Sequence, residues 1–251
     1  MKLSLTPFLL LAELAFLLFV FRNANRKNGF PYWRLLVFWL WIVIYAGMAT
    51  YLGYKGVYVS EALLNYFPGF WLQLITVTSC VAPVLLSPGL RHDLRSAVDA
   101  TMWEHWIYFN MLRLAAVGTL VGASRNSFPI YFELLVGIPD LLFALSTFWI
   151  LKRTKADRLS SRQFYYWNLI GAFVIVPAAP ILLQLGLPGP LQVFNAQPDA
   201  RAVFAFPMSI AAMIGVPLFV LVNLLVAWHL FEQRTKQPTR NSHTLKAGTS
   251  M

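Results

Sequence analysis

Charge is what this chain has least of. Of its 251 residues only 12% are charged and 58% are hydrophobic, too little charge to cover a water-soluble globule. Mean hydropathy is +0.60. Cysteine is nearly absent too: Cys80 stands alone, which excludes an intramolecular disulfide and leaves a small buried hydrophobe. No N-x-[ST] sequon occurs, so nothing points to a glycosylated surface protein. No internal repeat is visible, and the symmetry of an inverted-repeat transporter is therefore missing.

What the chain does have is apolar runs of bilayer length. Seven stretches can be read, over 3–21, 33–53, 70–90, 103–123, 130–150, 164–186 and 206–230. Each is long enough to cross a hydrocarbon layer, which takes about 20 residues of helix. In lipid every backbone polar group must be satisfied within its own helix. The expected fold is therefore all-α: a polytopic membrane protein forming a single bundle of seven transmembrane helices over residues 1–232. A basic tail over 233–251 is expected to be disordered and cytoplasmic. The first stretch is expected to be retained rather than cleaved as a signal. Its n-region holds only Lys2, and its positive charge follows the apolar run instead of preceding it.

The net charge of +10 sorts by side. Fifteen basic residues fall in the first, third and fifth connections and the tail, among them Arg22, Arg26, Lys27, Arg34, Arg91, Arg95, Lys155 and Arg158. The opposite side carries four: Lys2, Lys55, Arg125 and Arg201. The positive-inside rule then places the N-terminus outside and the C-terminus in the cytoplasm. Such loops are topology determinants beside anionic lipid, so no nucleic-acid partner is expected. Compact loops and a short tail suit a multi-pass protein of a cell membrane, here a bacterial inner membrane. Tryptophans at both interfaces check the boundaries: Trp33, Trp103, Trp106, Trp149, Trp167 and Trp228 at one side, Trp71 at the other. Trp39 and Trp41 lie deeper, as packing residues. Arg91–Met102 reads as a surface helix, and Gly186–Phe206, with Pro188, Pro190 and Pro198, as too broken for a helix. Pro83, Gly137, Pro139, Pro177, Pro180 and Pro217 should kink their spans.

Charges inside the spans carry the functional signal. Glu13, Arg113 and Asp140 fall near the centres of the first, fourth and fifth stretches. Each alone costs about 2.5–3.5 kcal/mol to insert, so they should face inward and pair. Asn110 sits one turn from Arg113, and Glu133 two turns from Asp140. Gln73, Thr76, Cys80, Pro83 and Ser87 give the third span a polar or small stripe; Gln184 and Asn223 add amides in the sixth and seventh. Two acids and one base leave a formal charge of −1, so either one acid holds a proton or a cation is bound. The packing alternative has Arg113 locking the bundle through Asp140, with Glu13 protonated.

A second cluster lies at the basic side: His92, Asp93, Asp99, Glu104, His105, His229 and Glu232. Of these, His92, His105 and His229 are candidate metal ligands, although no H-x-x-x-H or H-E-x-x-H spacing supports a metal hydrolase. No lysine lies within a span, which excludes a retinal Schiff base, and no cofactor is expected. The acidic-Arg-aromatic and Asn-Pro-x-x-Tyr signatures of G-protein-coupled receptors are also missing. The leading expectation is a protein that transports or binds a small molecule, or a proton, at a midplane site made by Glu13, Arg113, Asp140, Asn110, Glu133, Gln73 and Asn223. Its rivals are a non-catalytic subunit with a membrane-protein partner and a metal-dependent membrane enzyme.

Overall fold

A computed structural model describes residues 4–28, 33–66 and 69–236, and among them every regular element is helical. The expected tail, from residue 237 on, lies outside the described residues. Two uninterrupted helices lead: α1 (Thr6–Asn28) and α2 (Trp33–Tyr54). At 1.5 Å per residue the latter is about 33 Å long, the thickness of a bilayer core. A short helix α3 (Glu61–Tyr66) precedes α4 (Gly69–Leu86).

The third span ends earlier than hydropathy suggests. Ser87 accepts from the backbone N–H of Leu90 at 3.2 Å, and Pro88 takes the first helical position, so a new helix α5 (Pro88–Ala100) starts there. It leaves α4 at 99°. The expected surface helix thus begins with residues assigned to the membrane, Leu90 among them. Its inner face buries Leu90, Asp93, Leu94, Ala97 and Val98.

The remaining spans are segmented. The fourth comprises α6 (Trp103–Met111), a tighter 3-10 turn at Leu112–Ala116 and α7 (Val117–Ser124). The fifth comprises α8 (Ile130–Phe132), a widened π turn at Glu133–Gly137 and α9 (Ile138–Lys155). The sixth opens with α10 (Ser161–Phe173), whose capping box pairs Ser160 with Gln163 at 3.1 and 3.2 Å. It breaks before Pro177 and resumes as α11 (Ala178–Gly186). The loop that follows holds one helical turn, α12 (Arg201–Phe204), where the prolines predict none. Asp199 explains it: its carboxylate takes the backbone N–H of Arg201 at 2.9 Å and the Arg201 guanidinium at 2.7 Å. The last span starts with a π turn at Ala211–Gly215 and continues as α13 (Val216–Lys236), past Glu232. At Pro139 and Pro217 the expected disturbance appears as a π turn just upstream; the wider ring relieves the clash of proline with the preceding turn.

Six helical stretches are long and apolar enough to cross a membrane, and seven if the bent pair of α4 and α5 counts as one. They fit an integral membrane protein. The last stretch is the axis: 72% of its apolar window is buried, against 28–39% in the other five. It packs on α10, α4 and α5. Outward faces are apolar as well. Leu40, Trp41, Ile44, Met48 and Tyr51 on α2, and Leu142, Leu145, Phe148 and Trp149 on α9, are exposed. Patches of that size are a liability in water and the ordinary surface of a protein in lipid.

The tryptophans divide. Trp33 and Trp149 are exposed at helix ends, as an interfacial role requires. Trp106 and Trp167 are instead buried, against Phe16 and between Phe143 and Phe164. Trp41 is exposed rather than packed, its indole N–H donating to the Ser79 carbonyl at 2.9 Å.

Candidate functional site

Arg113 is the largest fully buried side chain among the described residues. The 3-10 turn at Leu112–Ala116 aims it into the space bounded by α9, α10 and the last span. One terminal nitrogen donates to Asp140 Oδ1 at 2.6 Å and the other to the backbone carbonyl of Gly171 at 2.7 Å. Phe143 and Phe219 cover the guanidinium, their ring centres 5.0 and 4.7 Å from its carbon. A desolvated cation over an aromatic face gains about 2 kcal/mol. Gly171 is required here: a side chain at that position would collide with the Phe143 ring.

Next to this pair lies an amide lock. Asn110 and Asn223 exchange side-chain hydrogen bonds at 3.3 and 2.9 Å, joining α6 to α13. Each also donates to the carbonyl one turn back on its own helix. Both are completely buried, so in an apolar interior each group needs the other.

Glu13 of α1 stands beside this group. It is fully buried, neither carboxylate oxygen has a hydrogen-bond partner among the described residues, and it lies within electrostatic reach of Arg113. Its carboxylate rests against the backbone of the second π turn: a β-carbon at Gly215 would stand 3.4 Å from Oε2. The Arg113 guanidinium meets Asp140 and the Gly171 carbonyl through its terminal nitrogens, and its buried Nε has no hydrogen-bond partner among the described residues. Glu13 and Asp140 are the acids within its electrostatic reach, and Glu133 lies near Asp140.

Glu133 lies two turns before Asp140 in the same stretch, fully buried and near Thr119 and Asp140. The π turn folds its carboxylate over Gly137, where a side chain would collide with it. Gln73 belongs to α4, but its side chain lies outside the described residues, as does that of Trp71. The polar stripe of α4 goes elsewhere. Thr76 bonds the Tyr45 hydroxyl at 2.7 Å, Cys80 is buried, and Ser87 caps α5. It joins α4 to α2 and to α5.

The second cluster does not converge on one point. His229 pairs with Asp99 at 2.7 Å, with Gln233 beside them. Asp93 pairs with Arg34 at 2.9 Å and His92 at 3.5 Å, while Arg95 takes Glu232 at 2.6 Å. His105 packs on Phe19, ring centres 5.3 Å apart. Among the described residues no three of His, Cys, Asp and Glu stand close enough to hold a metal ion. The His229–Asp99 and Arg95–Glu232 pairs tie α5 to α13.

Sequence reasoning did not single out Phe143, Phe219 and the Gly171 carbonyl. Phe143 sits one turn from Asp140 and Phe219 one turn from Asn223, a spacing that places each beside a polar midplane residue. A backbone carbonyl leaves no mark in the side-chain pattern. Compared with known proteins, the chain matches no family model, no curated protein and no solved structure.

Proposed function

We propose that this chain is a seven-span protein of a bacterial inner membrane, N-terminus outside, that moves protons through a titrating midplane site, alone or with a small molecule. One observation carries the reading: Glu13 is buried with no hydrogen-bond partner among the described residues, within reach of an Arg113 that pairs with Asp140 instead. A lone buried carboxylate is costly, so charge balance requires a proton on Glu13 or a cation beside it. A group that must be neutral when enclosed and can ionise when opened to water is suited to carry protons. Asp140, held by Arg113, is the second titrating acid, and motion that loosens the pair would exchange which acid is neutralised. The two π turns, one bearing Glu133 and the other touching Glu13, are the places where these helices can change register.

The test is proton flux into sealed vesicles containing the purified protein, driven by a potassium-diffusion potential and read with an internal pH dye. Wild-type protein should acidify the lumen, and Glu13→Gln should remain folded and lose at least nine-tenths of that rate. Equal rates in the two proteins would remove Glu13 from the role. No flux in either would remove the proton-carrying reading.

Seven spans and the stated orientation are tested separately. A reporter fused after Gln233 should be active only in the cytoplasm, and one inserted in the 187–199 loop only outside. Activity of both on one side would mean that the last stretch does not cross and would overturn the seven-span count.

A second reading has its own support. The Asn110–Asn223 exchange and the Arg113–Asp140 pair each bridge different helices, which is what a packing device does. In that reading the chain is a non-catalytic subunit of a membrane assembly.

A further inference from the structure

The outward face of α1 changes character along its length. Phe8, Leu11, Ala15 and Phe19 form an exposed apolar stripe at helical spacing, and the same stripe continues as Arg22 and Arg26. Ala15, Leu18, Phe19, Arg22, Asn23 and Arg26 line a groove of about 370 Å³ there. The small Ala15 leaves it open between larger neighbours, and the Phe19 ring, backed by His105, forms part of its wall. Asn23 is held in place by donating to the Ala100 carbonyl at 3.3 Å, and the neighbouring Lys27 reaches the same oxygen at 2.8 Å.

Arg22 and Arg26 are exposed, and among the described residues neither has an acidic partner. Four residues apart on one helix, their side chains are neighbours and repel each other. A phosphate between them would relieve that repulsion and accept from both guanidinium forks. The groove below offers apolar side chains at the depth of acyl chains. A soluble anion has no use for the apolar part, and a zwitterionic lipid leaves the paired charges partly uncompensated.

We infer that this groove is a binding site for an anionic phospholipid, its phosphate held by Arg22 and Arg26 and one acyl chain lying along Phe19, Leu18 and Ala15. The inference is independent of the midplane reading. It assigns these arginines a specific ligand in addition to their part in setting topology.

Native mass spectrometry of the detergent-solubilised full chain, titrated with phosphatidylglycerol, phosphatidylcholine or inorganic phosphate, tests it. One phosphatidylglycerol should bind in preference to phosphatidylcholine, and inorganic phosphate should not displace it. Each arginine near an anionic lipid contributes about a fivefold gain in affinity, so Arg22→Gln with Arg26→Gln should weaken binding roughly 25-fold. Lys155→Gln with Arg158→Gln, which removes two exposed charges from the same side, should change it less than threefold. Ala15→Phe, which fills the groove and alters no charge, should weaken it as well and keeps the test open if the arginine variant misfolds. Equal binding of the two lipids, displacement by inorganic phosphate, an equal loss in the Lys155 and Arg158 variant, or full binding by Ala15→Phe would overturn the inference.

Discussion

Arg113→Ala is expected to destabilise the protein by about 3–5 kcal/mol, the usual consequence of leaving a buried charge without its partner. The change strands the Asp140 carboxylate, frees the Gly171 carbonyl and opens a void between Phe143 and Phe219. Cavity and electrostatic penalties act together, so the loss should fall at the upper end of that range. Thermal unfolding in a mild detergent should register it as a fall in Tm of roughly 10 °C or more. The companion variant Arg113→Met with Asp140→Leu should recover most of the lost stability, because apolar residues of similar volume remove both charges at once. A Tm for Arg113→Ala within a degree or two of wild type would mean that the pair is not buried as described.

The second large effect concerns activity. Asp140→Asn keeps the shape of the side chain and its hydrogen bond to Arg113 but cannot titrate. With the carboxylate gone, Arg113 has only Glu13 as a counter-charge, which fixes Glu13 in its ionised form and removes the site's exchangeable proton. Proton flux in vesicles should fall at least tenfold while the protein stays folded, judged by its helical circular dichroism and elution as a single species. Flux at half the wild-type rate or more would show that Asp140 holds structure only.

The sequence is most legible where the signal is chemical: Glu13, Arg113 and Asp140 are all buried, and Arg113 pairs with Asp140. Glu13, Arg113 and Asp140 stand out because charge is rare in these stretches, and equal depth in three spans implies contact. The coordinates supply the choice that depth leaves open: Arg113 takes Asp140 and a backbone carbonyl, and Glu13 is left over. Asn110 and Asn223 were visible as amides but not as partners, since nothing in a single chain fixes which helices are neighbours. Boundaries were less legible. Hydropathy carries the third stretch through Ser87 and Pro88 to Leu90, although serine followed by proline is itself a helix-start signal. Prolines marked where the fifth and seventh spans depart from regular helix, and the form of that departure, a π turn, depends on tertiary packing. The polar residues at one end of the bundle have no metal-ligand spacing in the sequence, and in the structure they meet different neighbours: Asp93 meets Arg34 and His229 meets Asp99.

Whether the midplane charges serve function or only packing is decided most directly by proton flux through Arg113→Met with Asp140→Leu in sealed vesicles. The protein should be folded, as stable as wild type to within a few degrees, and without flux above empty vesicles, because Asp140 is gone and Glu13, with no Arg113 beside it, stays protonated in an apolar interior. A folded double variant that conducts protons at the wild-type rate would contradict the proposed function and leave the pair as a packing device.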